Sequence, residues 1–223
     1  MGKKKRTGEC GYCGKMGPLT IEHVIPQCLF MKPLPPDIVK IPVCYECNSE
    51  KAKDDDYLRD FLVTDIYNSE HPIAKQIFLS KTLSASRQNK SKLSKDAVSK
   101  GQNQPLYTPG GVYLTEAFAV PLDGERVNAI FIRIIKGLFY RKFEKRIPDN
   151  YVFQVKTYSP LEFREIAPQL AKTITFTLNR CGDVLDSLMT RAQEDEFCTA
   201  WWLCFYGGRW IEIYTMPPDT PAA

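Results

Sequence analysis

Two pairs of cysteines have the spacing of metal ligands in this sequence of 223 residues. Cys10 and Cys13 form one C-x2-C pair, and Cys44 and Cys47 form a second pair further along the chain. Each pair can present two thiolates from one tight turn, and four thiolates complete the tetrahedral shell that Zn²⁺ prefers. Four unrelated cysteines are the alternative, and two correctly spaced pairs argue against it. The spacing therefore predicts a structural zinc site, because a closed shell leaves no position for a reacting water.

Polar side chains lie between the two pairs and directly after the second one. Glu22 and His23 are adjacent in the string LTIEHVIP, Asn48 follows Cys47, and Lys51 comes one helical turn later. If a strand ends just after His23, the two neighbouring side chains point to opposite faces, so that one can reach a metal ion and the other a water molecule. If a helix begins at the second cysteine pair, Asn48 lies in its first turn, where a side-chain oxygen can bind a second ion.

The order of these motifs resembles that of a known enzyme family. C-x2-C, then Glu-His-x-x-Pro, then C-x2-C-Asn-x-x-Lys is similar to the HNH endonucleases, in the subgroup that four cysteines hold together, over roughly residues 8 to 68. That family has a hairpin, a helix and a central metal ion, the ββα-metal fold. The resemblance implies an enzyme that hydrolyses phosphodiester bonds of DNA, with RNA left open as a substrate.

The same resemblance assigns roles to individual residues. It implies that His23 is the general base, an imidazole with a pKa near about 6.5 that takes a proton from the attacking water. Glu22 and Asn48 would bind one catalytic Mg²⁺ or Mn²⁺, which stabilises the leaving group. Lys51 and Lys53 would contact phosphates of the nucleic acid. A lone histidine is more often structural, but the neighbours of His23 favour catalysis.

One position departs from the family pattern. The middle Asn of the family, which braces the general base, would fall at Val39. Two alternatives to the nuclease therefore stay open. The chain could be a zinc-stapled nucleic-acid-binding module without cleavage, or a nuclease subunit that a partner protein activates through the second half of the chain.

The spacing of apolar residues and the local composition predict the elements that position these residues. Leu58, Phe61, Leu62 and Ile66 recur at helical spacing in residues 49–67, which predicts a helix after the second cysteine pair. We expect an α+β protein, with a small ββα-metal HNH domain and a four-cysteine zinc knuckle followed by an α+β accessory domain. The predicted divisions are a basic tail at 1–7, the HNH nuclease domain at 8–78, a basic polar linker at 79–110 and the accessory domain at 111–217.

The second half contains regular elements but no catalytic motif. Apolar spacing predicts a strand-like run over 112–121, helices over 126–146 and 160–171 and a strand over 151–157, and Gly207-Gly208 predicts a hairpin turn. The first of these helices has a basic end that could follow a phosphate backbone, although a solvated polar face is the alternative. A protein partner could bind here.

Charge and hydropathy limit the protein class. The net charge is +4, and residues 1–110 hold 17 Lys and Arg against 12 Asp and Glu, so this half is the better candidate to meet phosphate. No apolar run reaches about 18 residues and no apolar signal segment follows the basic start, so we expect a cytoplasmic protein with no membrane contact. Reduced thiols in the cytoplasm agree with cysteines that bind metal. The lone His71 is expected in a surface turn.

Overall fold

The computed structural model describes residues 6–88, 92–108 and 110–218, and the first five residues of the predicted basic tail 1–7 lie outside this range. The described chain contains ten strands in three antiparallel sheets together with six α-helices. This mixture of helices and sheets agrees with the expected α+β class.

The first sheet contains three strands in the order β1-β2-β3, with the bounds β1 (Arg6–Glu9), β2 (Met16–His23) and β3 (Lys40–Cys44). In the pairing of β2 with β3, Leu19 lies opposite Cys44 and His23 lies opposite Lys40. The turn between β1 and β2 contains Cys10 and Cys13, and β3 ends at Cys44. Both cysteine pairs therefore lie at the same end of this sheet, and His23 lies at the other end.

Helix α1 (Tyr45–Thr64) begins directly after β3. Its N-cap is Cys44, whose sulfur accepts a hydrogen bond from the backbone nitrogen of Cys47. The predicted apolar face is buried at Leu58, Phe61 and Leu62, but Ile66 lies beyond the end of the helix and is 68% exposed. The sequence prediction thus placed this helix correctly and extended it too far.

Short helices follow α1 where the sequence predicts a basic polar linker at 79–110. Helix α2 (Pro72–Ile77) still belongs to the predicted domain at 8–78, and the predicted linker itself contains most of a π-helical segment (Phe78–Thr82), α3 (Leu83–Arg87) and α4 (Lys92–Lys100). The hydroxyl of Thr82 donates to the buried carboxylate of Asp60 on α1, and Leu93 is buried. The described part of the predicted linker is therefore largely helical and mostly exposed, and Thr82 and Leu93 attach it to the rest of the chain.

A two-stranded ribbon crosses the predicted boundary between residues 110 and 111. Strand β4 (Gln102–Tyr107) pairs with β5 (Tyr113–Ala119), and both strands are exposed along their length. The end of the predicted linker and the start of the predicted accessory domain are thus two strands of one hairpin.

The remaining strands form a five-stranded antiparallel sheet in the order β6-β10-β9-β8-β7. Their bounds are β6 (Val152–Tyr158), β7 (Thr177–Cys181), β8 (Leu185–Arg191), β9 (Thr199–Phe205) and β10 (Trp210–Met216). Gly207, in the turn between β9 and β10, has φ +68°, which explains why a glycine pair marks this hairpin. Every residue of β9 is buried, because helices cover both faces of the sheet.

Helices α5 (Gly124–Phe143) and α6 (Pro160–Thr173) lie against this sheet. Trp201 and Phe205 belong to the same buried cluster as α5, whereas Trp202 packs in the cluster that contains α6. The capping box of Ser159 and Glu162 fixes the start of α6 where the sequence predicts it.

One buried cluster joins the two halves of the chain. Phe131 of α5 packs edge-to-face on Phe61 of α1, with ring centroids 6.4 Å apart, and its centroid lies 6.0 Å from that of Phe205 on β9. The same cluster extends to Cys10 and Val24 in the first sheet. The regions predicted as separate domains at 8–78 and 111–217 therefore share a hydrophobic core.

Candidate functional site

The sulfur atoms of Cys10, Cys13, Cys44 and Cys47 all lie within 4.8 Å of one another. The sulfurs of Cys13 and Cys44 are 3.8 Å apart. A tetrahedral zinc ion with Zn–S bonds of about 2.3 Å requires sulfurs separated by about 3.8 Å. The cluster can therefore hold a metal ion such as zinc, as the spacing of the cysteines predicts.

Backbone hydrogen bonds build this cluster. The nitrogen of Cys10 donates to Lys15, and Gly14, at φ +74°, donates back to the carbonyl of Cys10, which closes the turn. Gly11 donates to the carbonyl of Pro42 on β3, and a Cβ at Gly11 would lie only 3.1 Å from that oxygen. The cluster thereby fastens the β1–β2 turn to the end of β3 and the start of α1.

The acidity of these thiols is set by burial and by backbone N–H groups. Burial raises the pKa of Cys10, but hydrogen bonds from the backbone of Cys13, Cys44 and Tyr12 outweigh burial and lower the pKa to about 7. Burial raises the pKa of Cys47. A thiol must lose its proton to bind metal. The lowered pKa of Cys10 therefore favours its role as a ligand, whereas Cys47 needs the positive charge of the ion to lose its proton.

Glu22 lies in the interior and is paired with a lysine. Its carboxylate oxygen Oε1 is 2.7 Å from Nζ of Lys51, and both side chains are less than a tenth exposed. The same ammonium lies 2.9 Å from Asp55. Burial raises the pKa of Glu22, and the positive charge of Lys51 opposes that rise. Lys51, predicted to contact nucleic acid, is therefore buried between two carboxylates, and the side chain of Lys53 lies outside the described residues.

Asn48 lies in the first turn of α1, where the sequence predicts it. Its amide nitrogen donates to the hydroxyl of Thr20 on β2 at 2.8 Å, and that hydroxyl donates to the carbonyl of Val43. Thr20 and Glu22 are two residues apart on one face of β2, while Asn48 and Lys51 are one turn apart on α1. Glu22 and Asn48 therefore lie along the same interface between strand and helix.

His23 is the last residue of β2 and is half-buried. The amide nitrogen of Gln27 lies 2.7 Å from Nδ1 of the imidazole and 3.2 Å from Nε2. Burial lowers the pKa of His23, and the positive charges of Lys40 and Lys51 lower it further. The neutral imidazole is favoured, with Gln27 at its side.

Gln27 is a site residue that the sequence reasoning missed. It begins a single 3₁₀ turn, Gln27–Leu29, after Pro26, and this turn folds its side chain back onto His23. Val39, which stands at the position of the family's bracing Asn, instead accepts a backbone hydrogen bond from Val24. The only sequence signal for Gln27 is its spacing of four residues from His23 across a proline.

Acidic residues of α1 neutralise part of the basic surface of α5. Asp54 pairs with Arg126 at 2.8 Å and with Arg133 at 3.4 Å. Near the end of α5, Lys145 pairs with Glu196 and Arg146 with Asp149. The basic end that the sequence suggested for phosphate contact is thus partly occupied by internal ion pairs.

His71, the second histidine, is not part of this site. It is the N-cap residue of α2, and its ring lies 5.4 Å from the ring of Tyr206. It is half-buried rather than fully exposed.

Comparison with known proteins yields no relative for this chain. No protein-family model matches it, and no curated protein or solved structure matches it significantly. Within the ranges that the structure describes, no helix has both the length and the apolar character that crossing a membrane requires. The roles of the site residues are therefore argued from their own chemistry and positions.

Proposed function

We propose that this chain is a metal-dependent endonuclease of the HNH type, which hydrolyses phosphodiester bonds of DNA. One observation carries the proposal. The four-cysteine cluster ties β2 and β3 to α1, so that Glu22 and Asn48 share one strand–helix interface while His23 lies at the end of β2. This is the arrangement that a ββα-metal site needs, and the cluster would hold a structural zinc ion.

In this proposal His23 acts as the general base. Its neutral imidazole takes a proton from the water that attacks the scissile phosphorus. The oxygen and nitrogen of a carboxamide exchange places by a flip of the group, so the Gln27 oxygen can accept the proton of Nδ1 and leave Nε2 basic. Gln27 then does the work that the family assigns to the Asn missing at Val39.

Glu22 and Asn48 have the oxygen donors that Mg²⁺ and Mn²⁺ prefer. Glu22 Oε1 is buried, and its partner in the described chain is the ammonium of Lys51 at 2.7 Å, which an ion would have to displace. The Asn48 nitrogen is held by Thr20, which leaves its oxygen as the second donor. When bound, such an ion stabilises negative charge on the phosphate and on the leaving oxygen. Lys51 keeps Asp55 as a partner if it releases Glu22.

The proposal is tested with purified full-length protein and supercoiled plasmid, linear duplex DNA and single-stranded RNA, each with Mg²⁺, Mn²⁺ or EDTA. We expect nicking of DNA with a divalent ion and none with EDTA. Glu22→Gln on β2 should lose this activity, whereas Glu50→Gln, at an exposed position of α1, should keep it. Cleavage that continues in EDTA, or at an equal rate in Glu22→Gln, would contradict the assigned metal site.

A nucleic-acid-binding module without cleavage is the second candidate. The buried pair of Glu22 and Lys51 favours it, because a lysine already neutralises the carboxylate that would bind the ion. In that case the wild type binds DNA and cuts none of the substrates with either ion.

A further inference from the structure

A second candidate site lies far along the chain from the motifs discussed above. A cavity of about 700 Å³ is bounded by the end of α5, the connection from α6 to β7, and the end of β8. Its polar lining comprises Lys142, Thr175, Thr177, Thr190, Arg191 and Gln193. None of the described residues that line it is acidic. The cavity thus combines two cations with hydroxyl and amide groups.

Both cations lie near one aromatic ring. The guanidinium carbon of Arg191 lies 4.8 Å from the ring centre of Phe143, and Nζ of Lys142 lies 5.9 Å from the same centre. Burial lowers the pKa of Lys142, and the positive charge of Arg191 lowers it further. An anion bound close to both cations would reduce this repulsion.

Two acidic residues near this cavity are engaged elsewhere. Glu196 pairs with Lys145 at 2.6 Å, and Asp195 accepts a hydrogen bond from the hydroxyl of Tyr151 at 2.6 Å. Over residues 6–88, 92–108 and 110–218, no ion pair joins Lys142 or Arg191 to a carboxylate. Lys142 and Arg191 therefore have no ion-pair partner among the described residues.

We propose that this cavity binds a phosphate group. Guanidinium, ammonium and threonine hydroxyl groups donate hydrogen bonds to phosphate oxygens, and here all three kinds of group line one cavity. Its volume lies in the range of small-ligand sites. The phosphate comes either from a nucleic-acid backbone or from a free nucleotide. The site does not depend on cleavage at His23 and would bind phosphate in a chain that cuts nothing.

The test is a binding assay in EDTA, so that cleavage plays no part. Lys142→Met/Arg191→Met removes both charges and keeps much of the apolar length of each side chain. Lys145→Met/Arg180→Met is the matched control, because it removes the same charge from two exposed residues that already have acidic partners. Equal Tm values for the two double variants and the wild type establish that all three are folded.

Two probes are used, a fluorescein-labelled 20-base-pair DNA followed by anisotropy across a salt series, and ADP followed by calorimetry. If the source is a nucleic-acid backbone, the slope of log affinity against log salt falls by about 1.8 in Lys142→Met/Arg191→Met, since each lost phosphate contact removes about 0.9. The control keeps the wild-type slope.

If the source is a free nucleotide, ADP binding is lost in Lys142→Met/Arg191→Met and kept in the control, with DNA affinity equal in both variants. Either result supports a phosphate site. If the two double variants are indistinguishable with both probes, the proposal is overturned. Because both probes are used in EDTA, the result does not depend on cleavage at the proposed nuclease site.

Discussion

The imidazole of His23 is contacted by Gln27, whose amide nitrogen lies 2.7 Å from Nδ1. We predict that Gln27→Leu lowers kcat for DNA cleavage by about 10- to 100-fold, the usual cost of removing the partner that orients a functional side chain. KM should stay unchanged, because Gln27 acts on His23 rather than on DNA. Gln27→Glu, which also offers an oxygen, should restore part of the rate.

The control is Gln76→Leu, which removes an exposed glutamine from α2. If Gln27→Leu keeps the wild-type kcat, or changes only KM, then Gln27 has no part in orienting the imidazole.

Lys51 is the buried cation between Glu22 and Asp55. We predict that Lys51→Met lowers the free energy of unfolding by about 3–5 kcal/mol at pH 7.5, because two carboxylates then lose their counter-charge. Burial already raises the pKa of Glu22 and of Asp55, and loss of Lys51 raises both further. A raised carboxyl pKa costs stability as pH rises through it, so the deficit should shrink at pH 5.

Urea denaturation of the wild type, Lys51→Met and the exposed control Lys75→Met at both pH values measures this difference. A deficit of the same size at pH 5 and pH 7.5 would disagree with the ion-pair account.

At the residue scale, local spacing predicted the cysteine cluster, because both C-x2-C pairs are short-range patterns. The contact of Glu22 with Lys51 could not be predicted from local spacing. It depends on how α1 packs on β2, which residues far apart in sequence determine together. Gln27 was missed for a related reason, since its position depends on the turn after Pro26.

At the element scale, the cysteine cluster fastens the β1–β2 turn to α1. We predict that Cys13→Ser releases the bound metal ion and lowers Tm by about 10 °C or more, since loss of a structural zinc site costs several kcal/mol. Cys198→Ser, at a half-buried cysteine outside the cluster, should retain metal and lose far less stability. Metal content per chain and thermal unfolding measure both effects. Equal metal content in the two variants would mean that Cys13 is no ligand.

Amphipathic spacing predicted the main helices, and the glycine pair predicted the β9–β10 hairpin. Strand β5 was predicted as a strand-like run, but its partner β4 was missed, because β4 lies in a polar stretch and is exposed along its length. Strand β7 is also largely exposed, and it was missed for the same reason. Alternation of apolar and polar residues marks a strand most clearly where one of its faces is buried.

At the scale of the whole molecule, Phe61, Phe131 and Phe205 join the predicted domains in one core. Asp54 on α1 adds ion pairs to two arginines of α5. The amino-acid composition changes near residue 110, and this change suggested a domain boundary. Composition is a local property, however, and does not show which apolar faces pack together.

We therefore predict that the whole chain unfolds in one cooperative transition. All three tryptophans, Trp201, Trp202 and Trp210, lie in the second half, so their fluorescence reports that half. Release of zinc to a colorimetric chelator reports the first half. The two urea midpoints should coincide. Separate midpoints would show two independent domains, as the sequence alone suggested.

We propose that His23 is the base of a nuclease, and plasmid nicking by the wild type, His23→Ala and His71→Ala with Mg²⁺ or Mn²⁺ tests this directly. We predict that His23→Ala loses about 10²- to 10⁴-fold in rate while it still binds DNA, and that His71→Ala cuts at nearly the wild-type rate. Wild-type cleavage by His23→Ala would contradict the account.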